Sequence, residues 1–310
     1  MESRTKFHEK AVVFVYYRRF RECLMHISEI NIYPIKSLKG ISLESAIVEE
    51  RGLQHDRRWM LTTPNGMFFT QREFPQMALI EVGVGDDLYV TAEGFGTLEI
   101  PLQPETGNRQ QVTIWQNVCD GEIYTNTTNE WFSDVLGTDC QLVYMPDDSR
   151  RDVNEMFNRG GEVVSFADGY PLMVIGESSL DDLNRRIADS RADRTSASPL
   201  PMNRFRPNIV VSGSSAYAED RWERIRVGDA IFRGTKPCVR CVITTVDQKR
   251  GEFDGKEPLK TLASYRMAKD LIPDTYDSLG ISPNAILFGQ NLIGETPGVA
   301  IKVGDEVTVL

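Results

Sequence analysis

The sequence predicts a mainly β fold of the α+β class. Between residues 41 and 145, short runs rich in β-branched and aromatic residues recur between turn signals such as P-N-G at 64–66 and E-G-F-G at 93–96. That rhythm belongs to a barrel or sandwich. The β-branched run 242–246 and the closing runs at 287–291 and 303–310 place strands in the C-terminal half as well. Helical periodicity is confined to a few short stretches.

A chain of 310 residues can form one large or two ordinary domains, each with its own core. Its net charge of −10 argues against a binder of nucleic acid polymers and against a polybasic membrane-surface protein. An anionic ligand would therefore need a local cluster of cations. The five cysteines, Cys23, Cys119, Cys140, Cys238 and Cys241, form no disulfide framework, which favours a reducing, cytoplasmic setting. The apolar run 11–17 is too short to span a bilayer, and no cleavage site follows it. Residues 1–26 read as a disordered or helical extension, with Met25 an alternative start, and no membrane association is expected.

Taken in order, Ile27, Ile30, Ile32 and Ile35 form a strand that ends at Pro34 and the turn K-S-L-K-G. Lys36 and Ser37 then sit at a strand end, where an amine and a hydroxyl can hold a phosphate, helped by an arginine fork from another strand. On the residues alone Lys36 reads as a solvated charge; Arg57 and its neighbour Arg58 acquire that role only from a family resemblance, and backbone parity then decides which faces inward. Thr70, Gln71 and Arg72 follow a turn and could contact a bound cofactor, although a plain solvent-facing edge is the preferred reading. A short helix is expected over 130–136, capped by Asn129 and stopped by Gly137. The polar, Gly-containing stretch 146–161 is the best linker. Asp168, in A-D-G-Y at 167–170, suits turn capping as well as acid chemistry.

Ser178 or Ser179 can cap a helix whose Leu180, Leu183 and Ile187 are core residues. A polar surface loop covers 191–202. In R-F-R-P-N at 204–208, Arg206 and Asn208 are two apart and share a side of an extended segment. A guanidinium and an amide there suit a heterocycle edge or a phosphate; the plainer alternative is a structural salt bridge. Residues 256–270 carry a helix signal with Pro258 in its first turn.

The densest chemistry lies at 236–247, K-P-C-V-R-C-V-I-T-T-V-D. Cys238 and Cys241 precede a strand-like run, so a thiolate there would be held by rigid backbone. Structural zinc lacks a second ligand pair, since the histidines His8, His26 and His55 are far upstream. A thioredoxin-like pair should open a helix, and a Cys/His nucleophile needs a distant histidine to fold back. Two small buried hydrophobes remain the bland alternative.

These residues resemble the cysteine motif of the MOSC family, named after the C-terminal domain of molybdenum cofactor sulfurases. The resemblance extends through N-R-F-R-P-N-I-V-V at 203–211, Y-A-E-D-R-W at 217–222, K-E-P-L-K-T-L-A-S-Y-R at 256–266, L-F-G-Q-N at 287–291 and V-G-D-E-V at 303–307. Upstream, Y-P-I-K-S-L-K-G at 33–40 and H-D-R-R-W at 55–59 are similar to the β-barrel domain that precedes MOSC in the branch of the YcbX-type proteins and mitochondrial amidoxime-reducing components.

That resemblance implies an N-terminal β-barrel domain at 27–145, a linker at 146–161 and a MOSC β-barrel domain with a few helices at 162–310. It implies a molybdenum cofactor (Mo-molybdopterin) with Cys241 as metal ligand and Cys238 as fallback. Lys36, Ser37, Arg57, Arg206 and Asn208 match cofactor-binding positions, and Asp168 an acidic position that relays protons or binds substrate nitrogen. The implied reaction is reduction of hydroxylamines, amidoximes and N-hydroxylated bases. Electrons would come from a separate donor, a ferredoxin-like or haem carrier with a flavin reductase. The alternatives are a non-catalytic cofactor carrier or a sulfur-transfer protein; no aminotransferase-like half, and hence no pyridoxal phosphate, is expected.

Overall fold

The computed structural model describes residues 24–190 and 198–310. The apolar run 11–17, His8, Cys23 and most of the expected loop 191–202 lie outside them. The described chain is mainly β, as predicted. Its largest sheet has eight strands in the order Ile41–Leu43, His26–Ile32, Ile209–Ser212, Leu172–Gly176, Ile286–Gly294, Ala230–Arg240, Arg224–Val227 and Val307–Val309. Every pairing in it is antiparallel except that of Leu172–Gly176 with Ile209–Ser212, which the helix Glu177–Asp189 joins as a crossover. The first strands of the chain thus lie in one sheet with strands from its second half. A four-stranded sheet and a three-stranded meander, Glu81–Val84, Asp87–Ala92 and Gly96–Pro101, complete the N-terminal part.

Ile27 and Ile30 are both buried in one core although a strict alternation would put them on opposite faces. A register shift between Ile27 and Glu29 restores the parity. A second core, including Leu61, Leu88, Val90 and Phe132, fills the N-terminal part. Met60, Val143 and Phe166 pack in a smaller cluster that joins residues from both sides of 146–161. That segment is itself packed down, with Ser149, Arg151 and Val153 buried. Among the described residues no helix is long and apolar enough to cross a membrane.

Several local expectations change. The first helix runs Asn126–Leu136 with Thr125, not Asn129, as cap, and Gly137 stops it in the left-handed conformation as expected. Asn129 is instead a tie, donating to the Tyr124 carbonyl at 3.2 Å and accepting from the Leu142 amide at 2.9 Å. The helix Glu177–Asp189 begins after Gly176 with no side-chain cap. Its Ser178 and Ser179 hydroxyls donate to the Ser214 carbonyl and Glu219 carboxylate, while Leu180, Leu183 and Ile187 are core.

Of the run 242–246 only Val246 is in a strand, the two-residue Val246–Asp247. Thr244 and Thr245 donate their hydroxyls to the carbonyls of Cys241 and Val242 at 2.9 and 2.8 Å, which closes a 3-10 turn over Val242–Thr245. The strand lies ahead of that run instead, at Ala230–Arg240, which contains Cys238 and ends one residue before Cys241. The helix expected over 256–270 splits into the single turns Leu259–Leu262 and Ala268–Leu271. Between them the backbone bonds to the strand Ile286–Gly294 region instead, through Leu287 N to Arg266 O and Ala268 N to Ala285 O, both 2.9 Å.

Gly289, in the central strand Ile286–Gly294, has φ +81, and an added Cβ would lie 2.8 Å from Ile175 Cγ1 and 3.0 Å from the Val174 carbonyl. Gly289→Ala is therefore expected to lower unfolding free energy by about 2 kcal/mol or more. Urea denaturation of the two proteins checks this, with an unchanged midpoint as the contrary result.

Candidate functional site

One cavity of about 150 Å³ gathers all eight residues singled out from the sequence: Lys36, Ser37, Arg57, Asp168, Arg206, Asn208, Cys238 and Cys241. It lies where the turn after the first strand meets the cysteine strand and the segment carrying Asp168. The Lys36 amide donates to the Trp59 carbonyl at 2.8 Å and the Arg57 amide to the Tyr33 carbonyl at 3.0 Å, which fixes the two N-terminal segments side by side. Ser37, Arg57 and Arg206 all have positive φ, at 70, 50 and 55°. Such conformations in non-glycine residues persist only where surrounding contacts over-determine them. Arg206 and Asn208 consequently do not form the extended pair expected.

Arg57 rather than Arg58 faces the cavity. Its Nη1 donates to Asp56 at 2.5 Å and to Asn208 Oδ1 at 3.0 Å. Arg58 turns away to Tyr144, the Met145 carbonyl and Asp147. Asn208 spends its amide inside the protein, accepting also from the Met173 amide and donating to the Asn31 carbonyl, so it holds Arg57 in place. Arg206 lies 4.1 Å from the centroid of the Tyr33 ring and has no ion pair among the described residues. Burial draws its pKa down to about 10, and Arg57 adds to that against the opposing pull of Tyr33. Burial likewise pushes the Tyr33 phenol up to about 12.

Lys36 is 6% exposed and donates to the Phe166 carbonyl at 2.8 Å and to Asp168 at 2.5 Å. Burial pulls its pKa down to about 8 in spite of Asp168. Desolvation works to raise Asp168, but the charge and hydrogen bond of Lys36, with Arg72 and the Trp115 N–H, outweigh it and hold the carboxyl well below the usual range. Asp168 is thus ionised across the physiological range, and the 58% exposure of its side chain lets water favour the charge as well.

The two thiols differ. Cys241 Sγ accepts from Arg72 Nη2 at 3.1 Å; the residue precedes the 3-10 turn, makes no side-chain cap to it, and lies outside any apolar cluster. Cys238 Sγ accepts from Arg240 Nη1 at 3.1 Å and packs against the core around Phe205 and Phe288. Cys119 and Cys140 are buried elsewhere, and burial pushes the Cys140 thiol up to about 11.

Sequence reasoning missed Arg204 and Arg240, which line the same cavity, as do Thr70 and Arg72, for which a cofactor contact is the second alternative. The expected solvent edge at 70–72 is wrong: Thr70 is 5% exposed, and Gln71 is fully buried with its amide on the Ser37 carbonyl at 2.6 Å. Nothing in the local pattern marks a buried glutamine. Arg240, placed between the two cysteines, was the one readable signal. Arg151 was also missed: it donates to the Ser165 and Asp168 carbonyls at 2.8 Å, and to that of Ala167, which pins the Asp168 segment.

In all, six cationic side chains and a single carboxylate face this cavity. It suits an anion that also carries a soft acceptor for sulfur. Among the described residues no three His, Cys, Asp or Glu side chains converge as a metal site. A metal bound here must bring most of its ligands with it.

Residues 24–139 match the family described as MOSC N-terminal beta barrel domain, and residues 161–308 the MOSC domain. The chain is 35% identical over 295 residues to mitochondrial amidoxime-reducing component 1 of Mus musculus, covering 92% of this chain and 82% of that protein. It is 35% identical over 291 residues to mitochondrial amidoxime reducing component 2 of Bos taurus, covering 91% and 82%. Similarity to the molybdenum cofactor sulfurase of Oryza sativa subsp. japonica, 32% over 260 residues, covers 80% of this chain but 32% of that protein.

With a folded-state pKa of about 8 against an ordinary 10.5, Lys36 holds fewer protons than in the unfolded chain between those values. Its burial penalty therefore shrinks as pH rises through that window. Anion affinity must move the opposite way. Sulfate, whose charge is constant over this range, should bind evenly below about pH 8 and then weaken toward tenfold per pH unit. Calorimetric titration checks it: a flat profile, or one that Lys36→Met leaves unchanged, is the contrary outcome.

Proposed function

Because the chain belongs to the MOSC family, we propose that it is a molybdenum-cofactor-dependent oxidoreductase that reduces N-hydroxylated compounds with electrons from a separate donor protein. The observation that carries this reading is the meeting of two thiols with six cations around one hollow. Thiolates are soft donors suited to a heavy metal, and the cations suit the phosphate of its organic carrier. The donor set fits the cofactor because the protein itself supplies too few ligands to hold a bare ion.

Lys36, Ser37, Arg57 and Arg206 would hold the phosphate and pterin edge, with Asn208 keeping Arg57 aimed. Cys241 would be the thiolate ligand, since it lines the cavity free of core packing and its sulfur accepts from Arg72 at 3.1 Å. The cofactor, when bound, supplies a metal that cycles by two electrons. The overall change is R–NHOH + 2e⁻ + 2H⁺ → R–NH₂ + H₂O. Ionised Asp168, pinned by Lys36 at 2.5 Å, orients the substrate nitrogen by accepting its N–H and relays protons to it from solvent. The donor would be a ferredoxin-like or haem carrier reduced by a flavin enzyme.

Elemental analysis together with fluorescence of the oxidised pterin tests the cofactor, and a reduced viologen dye with hydroxylamine tests turnover. Wild-type protein is expected to carry molybdenum and reduce hydroxylamine with the dye, and to be inactive with NADH alone. Cys241→Ser is expected to lose metal and about 100-fold or more of the activity, while Cys238→Ser keeps both within about threefold. Metal and pterin without turnover would point to a carrier, and metal loss in Cys238→Ser alone would move the ligand to that sulfur.

A further inference from the structure

Gln71 is a polar side chain shut off from solvent, and both ends of its amide are used. Its Nε2 donates to the Ser37 carbonyl at 2.6 Å and to Gln248 Oε1 at 3.3 Å, while its Oε1 accepts from Gln248 Nε2 at 2.9 Å. The two glutamines therefore bond reciprocally across 177 residues of sequence. Ser37 sets the orientation: turned over, Gln71 would bring its oxygen against the Ser37 carbonyl oxygen, two acceptors with no proton between them. A buried amide with all its partners is costly to disturb, because each bond lost leaves a buried group unpaired.

Each arm of this tie ends on a segment that supplies the thiol cavity. Ser37 lines the cavity at φ +70, a conformation that a non-glycine residue keeps only where other contacts hold it, and Gln71 captures the carbonyl of that same residue. Thr70 and Arg72, the chain neighbours of Gln71, line the cavity too, and Arg72 Nη2 donates to Cys241 Sγ at 3.1 Å. Gln248 directly follows Val246–Asp247, and Asp247 accepts from the cavity residue Arg204 at 3.3 Å. Other ties that hold cations here are ion pairs, among them Lys36 with Asp168, Arg57 with Asp56 and Arg204 with Asp254, and each brings a carboxylate close. The amide pair brings no charge.

We propose that Gln71 and Gln248 are positioning residues of the anion site, whose amide pair fixes the Ser37 turn and the Arg72 segment without subtracting from the positive charge of the cavity. The inference rests on the reading of that cavity as the site of an anionic cofactor. Gln71 does the holding, and Gln248 acts through it. Loss of the Gln71 amide leaves the Ser37 carbonyl unpaired and frees Thr70–Arg72 from the second half of the chain at this point, so the Ser37 hydroxyl and the Arg72 guanidinium no longer share one geometry. Loss of the Gln248 amide spares the Ser37 bond and slackens only the partner side.

The test takes the full-length chain made in cells that lack the cofactor, so that the cavity is free, and titrates it with sulfate by calorimetry at neutral pH, well below the thermal midpoint. Methionine matches glutamine in length and flexibility but has no amide, so Gln71→Met, Gln248→Met and the double variant preserve the packing. Gln71→Met is expected to bind sulfate about tenfold more weakly than wild type and Gln248→Met about threefold. The double variant should fall within about twofold of Gln71→Met, because residues that act as one unit do not add. A lower thermal midpoint with sulfate affinity unchanged would overturn the proposal and leave the pair a plain structural tie, as would single effects that multiply in the double variant. Should Gln71→Met not fold, the half-buried Gln248→Met decides alone, with unchanged affinity as the contrary result. If wild type binds no sulfate, the anion-site reading fails and hydrogen exchange decides this one separately. Faster exchange over residues 33–40 in Gln71→Met, with the strand Ile286–Gly294 unchanged, upholds the positioning role, and no change at 33–40 relative to that strand ends it.

Discussion

Crowding of positive charge at one point is the constraint from which most of this architecture follows. Lys36, Arg57, Arg72, Arg204, Arg206 and Arg240 converge on a small hollow in a protein whose net charge is −10. Two like charges 4 Å apart repel by about 4 kcal/mol even at an effective dielectric of 20, so such a cluster must be shared out among partners. Three of its members have close acids: Lys36 with Asp168, Arg57 with Asp56, and Arg204 with Asp247 and Asp254. Arg206 lies on the face of Tyr33 and Arg240 on Phe205, while Arg72 lies on Trp115 with Asp168 4.0 Å away. A ring holds a guanidinium in place without neutralising it. The result is fixed cationic charge still available to an anion.

The same crowding explains why unusual backbone gathers here. Ser37, Arg57, Trp115 and Arg206 are four of the six non-glycine residues with positive φ among the described residues. Each bends the chain so that a polar or aromatic side chain turns toward the hollow or its rim, and each is held by bonds from a different segment. Tyr33 is the hub: its ring lies within 4.4 Å of two guanidinium groups, its amide donates to Asp56 and its hydroxyl to the Pro207 carbonyl.

The residues that meet in the cavity were legible because their chemistry is distinctive and their order along the chain is specific. The way they meet was not. The backbone turns at Ser37 and Arg206 have no sequence mark, since neither glycine nor asparagine stands there. The run 242–246 has strand-forming composition, yet the two threonine hydroxyls satisfy nearby carbonyls and favour a turn over a ladder. Residues 256–270 have helical composition, but Arg266 is drawn to Asp220 and to the Leu287 carbonyl, which breaks the run in two. In each case a side-chain bond, some of them to residues far along the chain, outweighed local propensity.

The opening strand His26–Ile32 finds its antiparallel partner at Ile209–Ser212, with His26 opposite Ser212. During synthesis it must leave the ribosome and wait until that distant segment emerges. At common elongation rates of about 5–20 residues per second the delay is on the order of ten to thirty seconds. Throughout that interval Ile27, Ile30 and Ile32 have no finished sheet to join, so their apolar face stays open until the second half of the chain arrives.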